Sequence, residues 1–353
     1  MDSLVREALS HKVSESANEG LFETPRIVVV GAGGAGCNTI NRLARVGIKG
    51  AELIAVNTDK KHLSIISESA KKLLLGPQLT RGLGAGGFPD VARKAAEASR
   101  GELEEILSGT DLLFLAAGMG GGTGTGAAPV IAEVARKQGA IVVAIVSYPF
   151  VLERNRLRTA EEGLEELRKA ADTVVVIDNN RLVGLVPNLP IDQAFAVADE
   201  ITARAVRGIT ETITTSSLIN LDYADVRAIM QGGGVSMIAV GEGKGTNRVE
   251  EVVKNTLNQR LLEVDYTNAT GLLLHLTGGP DMTLGEANEV GELISQNVEP
   301  NANVIWGARM DPAYSGRIEA IAIFTGIKSP YVVGKTSFEE PKRKKQDWSL
   351  EDL

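Results

Sequence analysis

The sequence contains one cysteine, Cys37, among 353 residues, so an internal disulfide cannot form. Chains without disulfides are typical of reducing compartments, and we expect this one in the cytoplasm. Histidine is also scarce, and the three histidines are far apart in the sequence. Together with a lone cysteine they do not predict a metal site built by the protein.

Long hydrophobic runs are absent as well. No uninterrupted apolar stretch approaches the ~20 residues of a transmembrane helix, and the first residues lack the apolar core of a signal peptide. The formal net charge of −8 argues against general binding to nucleic acid, which requires a basic surface. We therefore expect no membrane span and no nucleic-acid partner. Aromatic residues make up only 4%, whereas there are 39 glycines.

From Arg26 onward, short apolar runs alternate with helical patterns. Continuous apolar runs are typical of parallel strands that are buried on both faces. Strands are predicted at Ile27–Val30, Leu53–Val56, Leu112–Ala117, Ile141–Ser147 and Val174–Asp178, with helices between them such as Ala127–Gln138 and Ala160–Ala171. This alternation predicts an α/β fold with a doubly wound parallel sheet.

A longer helical pattern follows at Ile191–Ile213, and after it the order of elements changes. The later strands are predicted at Val235–Val240, Leu272–Leu276, Val304–Ala308 and Ile318–Phe324, with helices near Arg248–Arg260 and Leu284–Gln296. We interpret this as a second, smaller α+β domain beyond a long central helix. The predicted division is a leader (1–24), an α/β domain (25–190), the central helix with a connector (191–219), the α+β domain (220–328) and a flexible polar tail (329–353).

Three glycine-rich segments lie in the first domain: Gly31–Asn38, Gly82–Gly87 and Gly118–Gly126. The first and third each follow a predicted strand and precede a helix. Glycine lets the backbone approach a ligand closely, and a helix N-terminus offers free N–H groups to an anion. Six of the nine residues of Gly118–Gly126 are glycine, although glycine costs about 1 kcal/mol in a helix. These loops predict a polyphosphate site at the carboxyl ends of the strands.

A nicotinamide-dependent dehydrogenase is the main alternative, because a dinucleotide fold also begins with a glycine-rich turn. Its fingerprint requires an acidic residue at the end of the second strand, but here Asp59 comes later than expected. A dehydrogenase also has no use for the loop Gly118–Gly126. Two further segments, Gly241–Thr246 and Val332–Ser337, lack the spacing of a P-loop and are interpreted as turns.

The segment Gly120–Ala135, GGGTGTGAAPVIAEVA, resembles the signature of the tubulin/FtsZ family in its FtsZ form. The motifs GAGGAGCN, NTD, GLGAGG and NLDYAD follow the family's order over about residues 25–326, and NLDYADVR and DNNR resemble archaeal members. The resemblance implies a GTPase that binds GTP or GDP with Mg²⁺ and polymerises head to tail. It further implies that the chain forms the division ring at mid-cell.

The resemblance also implies a set of nucleotide-binding residues. Glu153 matches the family's ribose-binding glutamate, Phe195 the residue that stacks on guanine, and Asp199 the one that reads the guanine edge. At the position of the family's partnering arginine this chain has Leu157, which is flanked by Arg156 and Arg158. Of these two we prefer Arg156. From spacing alone, Phe195 would be interpreted as a core aromatic. The full set is Gly33, Gly34, Ala35, Asn38, Asn57, Gly84, Ala85, Gly86, Gly120, Gly121, Gly122, Thr123, Gly124, Glu153, Arg156, Asn180, Phe195 and Asp199.

The segment NLDYAD matches the family's catalytic loop, so Asn220, Asp222 and Asp225 are the candidate catalytic residues. From composition alone the two aspartates would be interpreted as helix-capping groups. The resemblance implies that this loop enters the GTP site of the next subunit. It also implies that the polar tail binds a membrane-tethering adaptor. A non-catalytic polymer regulator would be expected to lack Asp222 or Asp225, and both are present.

Overall fold

The computed structural model describes residues 24–185, 187–214, 219, 222–231, 234–258 and 266–327. Six parallel strands form the first half of the sheet, in the order β3-β2-β1-β4-β5-β6. They are β1 (Ile27–Ala32), β2 (Ala51–Asn57), β3 (Lys71–Leu74), β4 (Leu112–Gly118), β5 (Ile141–Tyr148) and β6 (Thr173–Asp178). The five predicted strands are confirmed, and β3 was missed because its sequence, KKLL, is half charged and only four residues long.

Helices connect these strands and cover both faces of the sheet. They are α1 (Gly33–Val46), α2 (Lys60–Ser64), α3 (Pro77–Thr80), α4 (Pro89–Ala98), α5 (Arg100–Leu107), α6 (Thr123–Lys137), α7 (Asn155–Ala170) and α8 (Asn179–Leu185). Helix α6 begins at Thr123, four residues before the predicted start, so Gly124 and Gly126 lie inside its first turn.

The long helix α9 (Ile191–Thr214) leads into a second set of strands. These are β7 (Gly234–Lys244), β8 (Gly271–Gly278), β9 (Asn303–Met310) and β10 (Arg317–Thr325), with helices α10 (Tyr223–Met230), α11 (Arg248–Asn258) and α12 (Leu284–Ser295). Strand β7 pairs with β6 in parallel through Thr173 and Gly234, and β10 lies antiparallel between β7 and β8. A single ten-stranded sheet therefore runs through both halves of the chain, which the sequence did not predict.

Alternate residues of each strand enter different hydrophobic clusters. In β1, Val28 and Val30 pack with the side chains of α6, whereas Ile27 and Val29 pack with those of α1 and α9. All four are at most 1% exposed. Burial on both faces explains why the strands appear as unbroken apolar runs in the sequence. Among the described helices, none is both long and apolar enough to cross a bilayer.

The segment 241–246 is not the turn that was predicted, because β7 continues through Lys244 before a short 3-10 turn at Gly245–Asn247. Its glycines let helix α11 lie directly on the strand. A Cβ atom on Gly241 would lie 2.7 Å from the Val252 carbonyl oxygen, and one on Gly243 would lie 2.7 Å from the Val252 nitrogen.

We therefore expect Gly241→Ala to lower the free energy of unfolding by about 1–3 kcal/mol, because α11 must move away from β7. The matched control is Gly101→Ala in α5, where no atom lies within 4 Å of the new Cβ. That change should be neutral or stabilise by up to about 1 kcal/mol. Urea unfolding of the two variants measures both values, and an equal effect would contradict the packing argument.

Candidate functional site

The loops that follow β1, β2, β4, β5 and β6 lie at one edge of the sheet, because the five strands are parallel. The predicted phosphate loops therefore meet there. Gly33 has a φ of +73°, and a Cβ on it would lie 2.7 Å from the Gly124 nitrogen. A Cβ on Gly118 would lie 2.8 Å from that of Ala35. The first and third loops are thus packed backbone against backbone, and side chains at these glycines would separate them.

The outer side of the same loops is open. A Cβ on Gly34 or Gly121 would have no protein atom within 4 Å, and Gly34, Ala35 and Asn38 are exposed on the first two turns of α1. No side chain caps the N-terminus of α1 or of α6. Two neighbouring helix ends therefore present free N–H groups and a partial positive charge to one space, an arrangement that suits phosphate.

The second glycine loop closes over the third. Gly84 donates its N–H to the Thr58 carbonyl oxygen at 3.1 Å. A Cβ on Gly122 would lie 2.9 Å from the Ala85 Cβ atom. Gly82, Gly84, Gly86 and Gly87 all have positive φ, a conformation that other residues rarely adopt. The loop 82–87 is therefore a third wall of the same site.

Asn57 lies beneath this wall. It is 3% exposed, and its amide nitrogen lies 3.3 Å from His62 Nδ1 and 3.9 Å from the Cys37 sulfur. Next to it, the Thr58 and Thr123 hydroxyls are hydrogen-bonded at 2.7 Å. The side chain of Asn57 thus supports the loop after β2, and its contact with a ligand stays a prediction.

Glu153 ends a short 3-10 turn after β5, and Arg156 lies in the first turn of α7, against the third glycine loop. Arg156 donates to Glu153 Oε2 at 2.7 Å, and Glu153 Oε1 accepts the Phe150 N–H at 3.0 Å. A Cβ on Gly120 would lie 2.7 Å from the Arg156 carbonyl oxygen. The Arg158 side chain is 85% exposed and lies 3.9 Å from Glu162. The arginine paired with Glu153 is therefore Arg156, and its contact with a nucleotide stays a prediction.

Asn180 ties this loop to the end of β6. Its Oδ1 accepts the Val151 N–H at 2.9 Å, and its Nδ2 donates to Asp178 Oδ1 at 2.7 Å and to the Pro149 carbonyl oxygen at 3.3 Å. The described contacts of the side chain are therefore with the protein, and they hold the candidate ribose residues in place.

Phe195 and Asp199 lie on α9, one turn apart. The Phe195 ring is 39% exposed and meets Phe150 edge to face at 5.8 Å between centroids, so it is not a buried core aromatic. Asp199 Oδ1 accepts the Thr39 hydroxyl at 3.1 Å. Burial raises the pKa of Asp199 to about 6, against the hydrogen bond from Thr39 and the charge of Arg42.

The two aspartates of the candidate catalytic loop lie at the start of α10. Asp225 donates its N–H to Asp222 Oδ1 at 2.7 Å, and Asp222 donates its N–H to Asp225 Oδ2 at 3.2 Å. This reciprocal pair is a capping box, so the prediction from composition is confirmed. The Tyr223 hydroxyl donates to the Asp111 carbonyl oxygen at 2.9 Å, next to the amino end of β4. Asn220 lies outside the described residues.

Two family descriptions match the chain. "Tubulin/FtsZ family, GTPase domain" matches residues 26–187, and "FtsZ family, C-terminal domain" matches residues 234–328. The "Cell division protein FtsZ 2" of Methanocaldococcus jannaschii is 58% identical over 343 residues, which cover 96% of this chain and 90% of that protein. That of Haloferax volcanii is 51% identical, covering 98% of this chain and 88% of that protein.

The chain belongs to the tubulin/FtsZ family. Among solved structures, "FtsZ dimer, empty (M. jannaschii)" has a TM-score of 0.82 at 45% identity and covers 92% of each chain. "CetZ2 from Haloferax volcanii - GTPgS bound protofilament" has a TM-score of 0.74 at 21% identity, covering 87% of this chain and 95% of that one, and supports the fold alone. The resemblance and the fold class predicted from the sequence are confirmed.

As a member of the FtsZ family, the chain is a GTPase of the cell-division cytoskeleton and binds GTP and GDP. The dehydrogenase alternative has no support from these matches. Several residues at the site were missed by the sequence analysis: Thr39, Arg42, Phe150 and Glu200. Thr39 contacts Asp199, which is 160 positions away in the sequence, and no local pattern predicts such a pair.

The open face at Gly34 yields a direct test of where the phosphates bind. Gly34→Ala adds a Cβ that meets no protein atom, so the fold should keep its stability. If the phosphates occupy that space, the methyl group should weaken GTP binding by about tenfold or more, a loss of at least ~1.4 kcal/mol. The measurement is a fluorescence titration with a labelled guanine nucleotide. Gly101→Ala is the control, and unchanged affinity in Gly34→Ala would contradict the assignment.

Proposed function

We propose that this chain polymerises head to tail into filaments and hydrolyses GTP at the contact between two copies, as part of a ring at the division site. The observation that carries the proposal is the hydrogen bond from Tyr223 to Asp111. It ties the aspartate-bearing end of α10 to the amino end of β4, whereas Gly118–Gly126 follows the carboxyl end of the same strand.

Strand β4 has seven residues and a rise of about 3.3 Å for each, so the two halves of the site are about 23 Å apart within one subunit. No side chain spans that distance. This separation supports the proposal that Asp222 and Asp225 act on a nucleotide held by another copy. A contact between the top of one subunit and the bottom of the next is heterologous, and it generates a filament unless its rotation closes a ring of subunits.

The surface around the phosphate loops supports such a contact. Four large apolar side chains near it are exposed, Leu83 at 75%, Phe88 at 66%, Val151 at 62% and Leu152 at 81%. An apolar group of this size beside a polar ligand site is typical of a protein interface. The similar M. jannaschii structure is that of an empty FtsZ dimer.

Phosphoryl transfer requires charge neutralisation and in-line positioning of water rather than covalent chemistry by the protein. The free N–H groups of α1 and α6 would stabilise the phosphate charge. Asp222 Oδ2 and Asp225 Oδ1 take no part in the capping box. In the next subunit's site these two oxygens would orient and polarise the attacking water, with Asn220 assisting.

Mg²⁺ is usual in GTP hydrolysis, where it neutralises charge on the phosphates. Among the described residues, no group of three or more His, Cys, Asp or Glu side chains could hold a metal ion by itself. Mg²⁺ would therefore arrive with the nucleotide, because this ion is commonly bound by substrate phosphates, water and few protein ligands. The Thr123 hydroxyl, which lies at the phosphate loop beside that of Thr58, would assist.

Guanine would stack on Phe195, and Asp199 would read its edge. Guanine presents two neighbouring donors, N1–H and the 2-amino group, to which a carboxylate is complementary. Two predicted segments lie outside the described residues: positions 1–23 of the leader, and positions 328–353, which include the adaptor-binding tail. A membrane-tethering adaptor for this tail and assembly in the cytoplasm at mid-cell remain part of the proposal.

A mixing experiment tests the shared site. Asp222→Asn keeps a good helix cap but removes the charge, so it should fold normally, bind GTP and lose GTPase activity by about a hundredfold or more. Asp199→Ala should lose GTP binding while keeping the catalytic candidates Asp222 and Asp225. Mixing the two inactive proteins should restore activity, because one copy supplies the acids and the other the nucleotide.

A mixture that stays inactive while both proteins co-sediment would contradict the proposal. Wild-type activity per subunit should also collapse on dilution below the assembly threshold. Activity per subunit that is constant at every dilution would place both halves of the site in one molecule.

Base recognition is tested by Asp199→Asn. An amide offers one donor and one acceptor, which suit the N1–H and the 2-carbonyl of xanthine. GTP affinity should fall by about ten- to a hundredfold, from loss of a hydrogen bond to a charged group, while XTP affinity should rise. A carboxyl whose pKa is raised on folding weakens stability above that pKa, so the variant should be at least as stable as the wild type at pH 7. Equal loss of both nucleotides would contradict the role.

A further inference from the structure

The candidate nucleotide site is built from two separate helices, and the contacts that join them lie directly beside it. Helix α1 carries the exposed phosphate-loop face, and α9 carries Phe195 and Asp199. One joining contact is the hydrogen bond from the Thr39 hydroxyl to Asp199. The other is one turn further along α1, where Arg42 donates to Glu200 Oε2 from Nε at 2.7 Å and also from Nη2.

The pair between Arg42 and Glu200 belongs to a larger network. Glu200 Oε1 accepts from Arg204 Nε at 3.0 Å, and Arg204 Nη1 donates to Glu319 Oε2 at 3.0 Å. The Glu319 side chain on β10 is only 5% exposed. Isolated surface ion pairs contribute little, but Glu200 is held from both sides by arginines, one of which is anchored in the second half of the sheet.

We propose that Arg42 and Glu200 are positioning residues for guanine recognition, which clamp α1 to α9 at the level of Asp199 and set the electric field at its carboxylate. This inference rests on the proposed reading of guanine by Asp199. Neither residue needs to touch the nucleotide. Their effect is to fix the distance between the phosphate-binding and base-reading halves and to keep Asp199 in the form that accepts hydrogen bonds.

Arg42 and Glu200 have opposite effects on the pKa of Asp199, because they carry opposite charges beside it. From α1 the facing groups are the Thr39 hydroxyl and the Arg42 cation, and on α9 the adjacent charge is Glu200, followed by Arg204. Beyond Phe150, the Glu153 carboxylate pairs with Arg156 at the start of α7. Burial raises the pKa of Asp199 to about 6, and the charge of Arg42 opposes that rise. Glu200 partly neutralises Arg42.

The variants Arg42→Gln and Glu200→Gln both break the ion pair, yet they should shift the pH dependence of GTP binding oppositely. GTP binding should weaken at low pH as Asp199 becomes protonated, and we call this part of the pH profile the acid limb. Without Arg42, the pKa of Asp199 rises, so the acid limb should move up by roughly one pH unit. Binding at pH 6.5 should then be about threefold weaker than in the wild type. Without Glu200, Arg42 is uncompensated and the limb should move down, so binding at pH 5.5 should be about threefold stronger.

The experiment is a titration with a labelled guanine nucleotide from pH 5 to pH 8 on the full-length wild type and variants. Arg100→Gln is the matched control, since this arginine also joins a partly exposed ion-pair group, with Glu97 and Glu133, away from the site. It should leave the profile unchanged. Shifts in the same direction, or uniform weakening at every pH, would mean that the pair acts only as a structural brace and would overturn the inference.

A different result would contradict the proposed reading of guanine by Asp199. The acid limb of the wild type should lie near pH 6 and should disappear in Asp199→Asn. A limb that persists in Asp199→Asn would show that Asp199 does not read the base, whatever the two ion-pair variants do. A limb that disappears in Asp199→Asn but does not respond to Arg42→Gln would leave the base reading intact and remove the role of the pair.

Discussion

The contact on which this molecule depends is the backbone-to-backbone packing of the first and third glycine loops. Gly33 lies over the Gly124 nitrogen, and Gly118 lies against Ala35. This packing brings the uncapped N-termini of α1 and α6 to the same place, so both helices offer N–H groups to one space. The candidate ribose and base residues lie around that point because their loops follow the neighbouring parallel strands. A single added Cβ at these glycines would separate the two helix ends.

Strand direction has a second consequence. Parallel strands collect the nucleotide loops at their carboxyl ends, and the hydrogen bond from Tyr223 to Asp111 holds the aspartate-bearing end of α10 at the opposite edge. The geometry that assembles a good phosphate site therefore keeps Asp222 and Asp225 away from it. Under the proposed function, a subunit of this kind would bind GTP alone but need a neighbour for hydrolysis. The link between assembly and turnover would then follow from the sheet itself, without an additional regulatory element.

The fold was largely predictable because strands buried on both faces leave unbroken apolar runs, as in β1 and β4. Short or charged elements such as β3 left no such signal, and the pairing of β6 with β7 joins residues about 60 positions apart. The role of the glycine loops in nucleotide binding stays a prediction, and close packing gives Gly118 and Gly124 a second, structural reason to be glycine. The ion pair between Arg42 and Glu200 could not be predicted, because its members are 158 positions apart and each alone is typical of a solvated helix surface.

Asp222 and Asp225 show that a structural and a catalytic interpretation of the same residues need not compete. Sequence composition favours helix capping, whereas the family resemblance favours catalysis. The capping box occupies one oxygen of each carboxylate and leaves the other available. Acids that must act in a neighbouring molecule have to be held rigidly, because a misplacement of about 1 Å can cost a hundredfold in rate. The cap and the anchor through Tyr223 supply that rigidity, so the capping role would be a condition for the proposed catalytic one.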